Sequence, residues 1–320
     1  MFGTSRWRTP TAAFVVGALV ALQSRINAGL SVEVGGGLLA ATISFGIGLL
    51  LALLITLLSK QIRTGLSRIP HALRGKTLRP WQLLGGMGGA WLVTTQGLTV
   101  AVVGVTAFIV AVVAGQVAGS LAVDRLGLSP AGVLPVSPQR AGAAFLALVA
   151  VAVSGWGTFL VGGGAALIAV SLAASAGIGI SVQQAINARV SAAAEGAMPA
   201  AVVNFVVGFT VLFFAVLVGI VAGIIEVASF PADPFLYLGG PIGLAFIALA
   251  AWAVRGLGVL LFGLLSIAGQ LAGGLTLDLL FPSADLVLGP PAWLGLILVI
   301  LAVWLAGRGS RRVSGGTMAE

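Results

Sequence analysis

The chain has no cysteine and a single histidine, His71, which excludes disulfides, thiolate nucleophiles and cysteine-ligated metal sites. Without cysteine, the redox compartment cannot be read either. Charge is nearly as scarce: Asp, Glu, Lys and Arg make up 8% of the 320 residues, against about a quarter in a soluble domain. The eight acids, Glu33, Asp124, Glu195, Glu226, Asp233, Asp278, Asp285 and Glu320, lie between apolar runs or at their ends. No carboxylate therefore stands inside an apolar run. Glycine triplets at 35–37 and 162–164 lack the Lys-Ser/Thr and the strand–turn–helix setting of a phosphate cradle, which argues against ATP hydrolysis as a drive.

Apolar residues, by contrast, make up 59% of the chain, and the mean hydropathy is +1.16. Such a composition belongs in a bilayer. Glycine, at 47 residues, is about twice its usual share and suits helices that approach closely in lipid. A span needs about 20 apolar residues. Ten are expected, near 11–30, 38–58, 81–98, 103–122, 140–157, 164–190, 199–221, 235–254, 257–277 and 291–306. The joint between the third and fourth is marked only by Gly97 and Gly104. Long unbroken apolar runs favour helices over an alternating-strand barrel, so the expected fold class is an all-α polytopic membrane protein.

Lysine and arginine set the orientation. With the N-terminus cytoplasmic, Arg6, Arg8, the basic stretch 60–79, Arg125, Arg140, Arg189, Arg255, Arg308, Arg311 and Arg312 all fall inside, fifteen of the sixteen basic residues. Only Arg25 is left toward the outside. Both termini, 1–10 and 307–320, are thus expected as cytoplasmic tails. The net charge of +8 is spent on topology in this reading, and nucleic acid is not an expected partner.

The chain also repeats itself. QSRINAGLS at 23–31 returns as QQAINARVS at 183–191, and AATISFGIG at 40–48 as AAVVNFVVG at 200–208, both at a shift of 160. GQVAGSLAVD at 115–124 returns as GQLAGGLTLD at 269–278, a shift of 154. Chance apolar similarity does not reproduce Gln, Asn, Phe, Gly and Asp in one order. The second copy lies mid-chain, so the first span, despite Arg6 and Arg8 before it, is a retained helix and not a signal peptide. Two halves are expected, 11–157 and 164–306. Five spans is an odd number, so the second half enters from the opposite side, the inverted repeat typical of secondary transporters.

These motifs, Q-x-x-I-N-A, A-A-x-x-x-F-x-x-G and G-Q-x-A-G-x-L-x-x-D in each half, resemble the drug/metabolite transporter superfamily and within it the YdcZ-type inner-membrane exporters. The resemblance implies a ten-helix fold and export of a small molecule, and it supplies no substrate.

The polar residues of the repeats are the candidate site. Gln23, Arg25, Asn27 and Gln270 are expected toward the outer end of a central path, and Gln183, Asn187 and Gln116 toward the inner end, with Asn204 standing where the first half has Ser44. Amides in a membrane helix either meet a polar solute or hydrogen-bond a neighbouring helix, and sequence leaves both uses open. Arg25 has a partner candidate in Asp278 or Glu33; Arg189 and Asp124 make an analogous inner pair, and such pairs are candidate gates or coupling groups. An Arg25 turned to the path would favour an anionic solute, and one near its helix end can instead snorkel. The expectation is a carrier of small polar or amphipathic metabolites, not an enzyme, in the plasma (inner) membrane; without the mid-membrane carboxylate usual in proton-driven carriers, uniport, exchange and proton coupling stay open. It is expected to need no cofactor or metal, its expected partners are solute and lipid, and the sequence leaves the oligomeric state open. A membrane assembly protein is the alternative; a lipid enzyme would need a catalytic cluster that the sequence does not show.

Overall fold

The computed structural model describes residues 8–155, 163–226 and 230–280, together with 294, 297–298, 300–302 and 304–305; side chains at 96–97, 100–110, 150–155, 163, 166, 275 and 278–279 are outside that description. Among the described residues the structure is helical, without strands. In chain order the helices are α1 (Arg8–Val34), α2 (Gly37–Leu58), α3 (Lys60–Arg74), α4 (Gly86–Arg125), α5 (Pro138–Gly155), α6 (Gly163–Ala193), α7 (Ala197–Val221), α8 (Gly239–Leu257) and α9 (Val259–Leu280). Five helical segments, Arg8–Val34, Gly37–Leu58, Leu167–Ala193, Ala197–Val221 and Pro234–Leu257, are long and apolar enough to cross a membrane, and Val259–Gly274 is a shorter apolar one. Of the expected last span, Ala302 is fully buried, and Leu298 and Leu305 pack with it against Val117 of α4, Ala143 and Ala147 of α5 and Leu264 of α9.

Local structure obeys the repeat as closely as the sequence does. After α1 the chain turns through Gly35 at φ 91°, with Gly36 N–H donating to the Ser31 carbonyl at 2.9 Å. After α6, 160 residues on, Glu195 takes φ 53° and Gly196 N–H donates to the Ser191 carbonyl at 2.9 Å. This is the left-handed helix stop that glycine makes cheap and that glutamate adopts at a cost. Short 3-10 turns at Pro80–Leu83 and Pro234–Tyr237, 154 apart, each lead into a glycine-rich helix start.

Two elements differ from the sequence expectation. The basic stretch 60–79, which lies between the second and third expected spans, contains α3. Ser59 ends α2 in an extended conformation and accepts from Ile62 N–H, and Ile62, Gly65 and Ile69 at helical spacing are buried. Lys60, Arg63, Arg74 and Lys76 stay exposed, and Arg63 turns back to the carbonyls of Thr56 and Leu57. The second difference is that residues 86–125 are all helical, with no non-helical residue at the joint where two spans were expected. A straight helix of that length would reach about 60 Å. Yet Gly88 lies against Gly179 and Gly119 against Ile178, the same turn of α6, so α4 doubles back between those two glycines. The interval holds Gly97 and Gly104.

Packing between the repeats is reciprocal. A β-carbon built on Gly17 of α1 would overlap the Ser266 carbonyl of α9; one built on Gly177 of α6 would overlap the Val112 carbonyl of α4. The partner glycines match: Gly269 sits on Phe14 and Gly115 on Ala174. Each first helix therefore crosses the fourth segment of the other half backbone to backbone, which only glycine permits. Phe45 and Phe205, equivalent residues of the two repeats, meet each other with ring centroids 5.1 Å apart, as residues beside a two-fold axis do. Outside, Leu50, Leu54 and Leu57 of α2 and Phe213, Phe214 and Leu217 of α7 present large exposed apolar side chains, a surface suited to lipid.

Candidate functional site

The first-helix amides turn toward the partner half. Gln23 and Asn27 are four residues apart and share a face. The Gln23 Nε2 donates to the Gly239 carbonyl at the start of α8 at 2.8 Å, and Asn27 Oδ1 accepts from Ser44 Oγ of α2 at 2.6 Å. A β-carbon on Gly239 would overlap Asn27 Oδ1, and one on Gly243 would lie 2.5 Å from Gln23 Nε2. In the second repeat Asn187 Nδ2 donates to Asn204 Oδ1 of α7 at 2.8 Å, 17 residues apart like the Asn27–Ser44 pair. Asn187 packs on Gly85 and Gln183 on Gly88 and Gly89 at the start of α4. The two clusters thus repeat the same construction, with the glycine-rich start of each half's third segment lying under the amides of the other half.

Phe45 and Phe205 stand between them. The Phe205 ring reaches 3.4 Å from a β-carbon on Gly243, beside Gln23, and the Phe45 ring reaches 3.3 Å from one on Gly89, beside Gln183. Asn27, Gln23, Phe205, Phe45, Gln183 and Asn187 therefore form one polar–aromatic–polar column. Asn187 and Gln183 are buried, and Asn204 is completely so.

Gln116 and Gln270, the glutamines of the fourth segments, do not join this column. Their backbone nitrogens lie beside Gly177 and Gly17, six residues from Gln183 and Gln23, or about 9 Å along the helix. Arg25 is exposed and lies about 200° around α1 from Gln23, on the side that faces α9 and away from the amide column. Since Ala18 and Ala21 pack on Gly273 with the two helices running in parallel, Arg25 falls one turn further, level with residues 276–278. The Asp278 side chain, and with it the Arg25–Asp278 pair, lies outside the described residues.

The inner pair takes a different form. Arg189 does not reach Asp124: its guanidinium donates to the carbonyls of Gly127 and Leu128. Asp124, fully buried, pairs instead with Arg140 Nη2 at 2.6 Å, and accepts Val259 N–H at 2.7 Å and Leu260 N–H at 2.9 Å. A carboxylate at a helix start satisfies orphan N–H groups and complements the helix dipole, so Asp124 fastens the end of α4 to the beginning of α9. Among the described residues no cluster of His, Cys, Asp or Glu could hold a metal ion.

Sequence reading missed three participants. Ser44 was aligned with Asn204 but not given a role. The third-segment glycines Gly85, Gly86 and Gly89 match Gly239, Gly240 and Gly243 at the 154 shift, a repeat block that carried the signal. Arg140 had no signal, since its equivalent in the second half is Leu294.

The family model described as "Putative inner membrane exporter, YdcZ" matches the chain twice, over residues 9–153 and 168–305. No curated protein matches it. A solved crystal structure of a protein aligns over 95% of this chain and 97% of its own length with a TM-score of 0.67, and at 17% identity that likeness speaks for the fold alone. The two matched segments are the two repeats that interlock here, and the chain belongs to the YdcZ family of inner membrane exporters.

Proposed function

We propose that the protein is a secondary transporter that exports small polar or amphipathic metabolites by alternating access. Its two halves, 11–157 and 164–306, are read as five-helix repeats of opposite orientation, ten spans in all, with both termini cytoplasmic. The observation that carries this reading is the reciprocal seating of each half's amides on the glycine-rich helix start of the other. Inverted repeats build their solute site at such an interface and move one half against the other around it. Of the helices that meet there, α2, α7, α4 up to residue 123, α6 up to 188 and α8 up to 254 carry no ionisable residue, and between residues 9 and 32 α1 carries Arg25 alone, on its side away from the amides.

Purified protein in liposomes tests the reading by counterflow of labelled solute pools. Uptake above protein-free vesicles supports it, and no uptake from any pool by folded, oriented protein contradicts it. Asp124 and Arg189 are assigned to fastening the ends of the halves, and Arg25, on the α9 side of α1, is placed off the path. For Arg25 the expected result of Arg25→Gln is therefore unchanged solute selectivity with a changed rate of exchange, read as maximal counterflow rate against half-saturating concentration. A switch in selectivity between anionic and neutral pools would return Arg25 to the path.

A further inference from the structure

The two amide clusters are built alike but are not equally satisfied. In the first repeat Ser44 spends its one hydroxyl proton on Asn27, and Gln23 donates to a backbone carbonyl. In the second, the serine is replaced by Asn204, whose Oδ1 takes the bond from Asn187 and whose Nδ2 is left over. Among the described residues neither that Nδ2 nor the Oε1 of Gln183, both buried, has a hydrogen-bond partner. Buried polar groups are rarely left so, because each has given up water for nothing. An orphan donor and an orphan acceptor thus flank Asn187 on one side of the column. The Gln183 Oε1 and the edge of Phe45 both lie within 3.5 Å of one point over Gly89. The equally unpartnered Oε1 of Gln184 points about 100° around α6 and belongs elsewhere.

We propose that Gln183 and Asn204 are the polar arms of a solute site confined to the second repeat. It takes a neutral molecule bearing both a donor and an acceptor, as a carboxamide or a hydroxyl group does, with an apolar face for Phe45 and Phe205. The donor of the solute meets Gln183 Oε1 and its acceptor meets Asn204 Nδ2. Neutrality follows from the absence of ionisable side chains on the surrounding helices and from Arg25 lying on the far side of α1. The proposal rests on the transporter reading and narrows its substrate.

Proteoliposomes preloaded with nicotinamide and glycerol, or with succinate and lactate, are assayed for counterflow of the same labelled compounds. Wild-type protein is compared with Gln183→Met and Asn204→Ser, the latter restoring the first-repeat residue. Flux is counted per folded protein, and thermal unfolding is measured in parallel. The expected result is counterflow of at least one neutral compound and of neither anion. Each variant then falls about tenfold, the worth of one hydrogen bond, while its unfolding midpoint holds or rises because an orphan group is gone. Variants that keep wild-type flux overturn the proposal whatever their stability. Wild-type protein that carries only the anions, or none of these compounds, overturns the neutral class and leaves the transporter intact, whereas no uptake from any of the broader solute pools overturns both.

Discussion

Gly177→Ala is expected to cost the protein most of its folded population, with the unfolding midpoint in detergent falling by well over ten degrees or no folded protein recovered. The added methyl overlaps the Val112 carbonyl and comes within 3.0 Å of the Gln116 backbone nitrogen. Neither atom belongs to a side chain that can rotate away, so α4 and α6 have to separate. Overpacking of a core typically costs about 1–3 kcal/mol when side chains yield, and more when backbone must move. Separation also opens every contact along the crossing, since dispersion is lost over fractions of an ångström. The same argument applies to Gly17, Gly115 and Gly269, whose β-carbons would likewise meet backbone carbonyls. Gly274→Ala is the control: among the described residues nothing lies within 4 Å of its added carbon, and the helix-propensity gain of about 1 kcal/mol should hold or raise the midpoint. Equal midpoints for Gly177→Ala and Gly274→Ala would show that the crossing is looser than described.

Asp124→Ala carries the second large effect. Asp124 has no exposed side-chain surface and Arg140 retains 13% of its own, so the pair is held largely away from water. Removing the carboxylate leaves the Arg140 guanidinium without its counter-charge and strips the acceptors from Val259 and Leu260 N–H. Breaking a buried pair from one side costs about 3–5 kcal/mol, mainly the penalty of the charge left behind. Asp124→Leu combined with Arg140→Met should recover much of that loss, because it removes both charges and keeps the volume. Thermal unfolding of the two single variants and the double one measures the coupling. A loss below about 1 kcal/mol for Asp124→Ala would mean that the site is as wet as an exposed ion pair. The exposed Arg68–Glu195 bridge, with side chains 43% and 69% accessible, is the internal standard for that case.

The repeat was the legible part of the chain. Its polar positions, Gln23 and Asn27 against Gln183 and Asn187, are the residues that each half turns to the other, because an amide in lipid has few alternatives to a neighbouring helix. Two things hid from sequence. A 15-residue amphipathic helix such as α3 is too short and too basic to register as a span, and its burial depends on Pro199 and Ala194, contacts that periodicity cannot supply. The expected partner of Asp124 was also wrong in identity, since charge type alone cannot tell Arg189 from Arg140 once both lie near one end of the bundle. Which amides are satisfied was equally beyond reach: Ser44 and Asn204 occupy one repeat position, and only the geometry shows that the exchange leaves a donor over.

The central claim is that equivalent positions of the two repeats face opposite sides of the membrane, and the absence of cysteine makes it directly measurable. Val32 and Ala192 share a repeat position at the 160 shift, and both are exposed at the end of a first helix. Val32→Cys and Ala192→Cys, each placed singly, are treated with a membrane-impermeant maleimide. On spheroplasts the reagent should label Val32→Cys and spare Ala192→Cys, and in inverted vesicles the pattern should reverse. Labelling of both from the same side would contradict the inverted repeat and the alternating-access reading built on it.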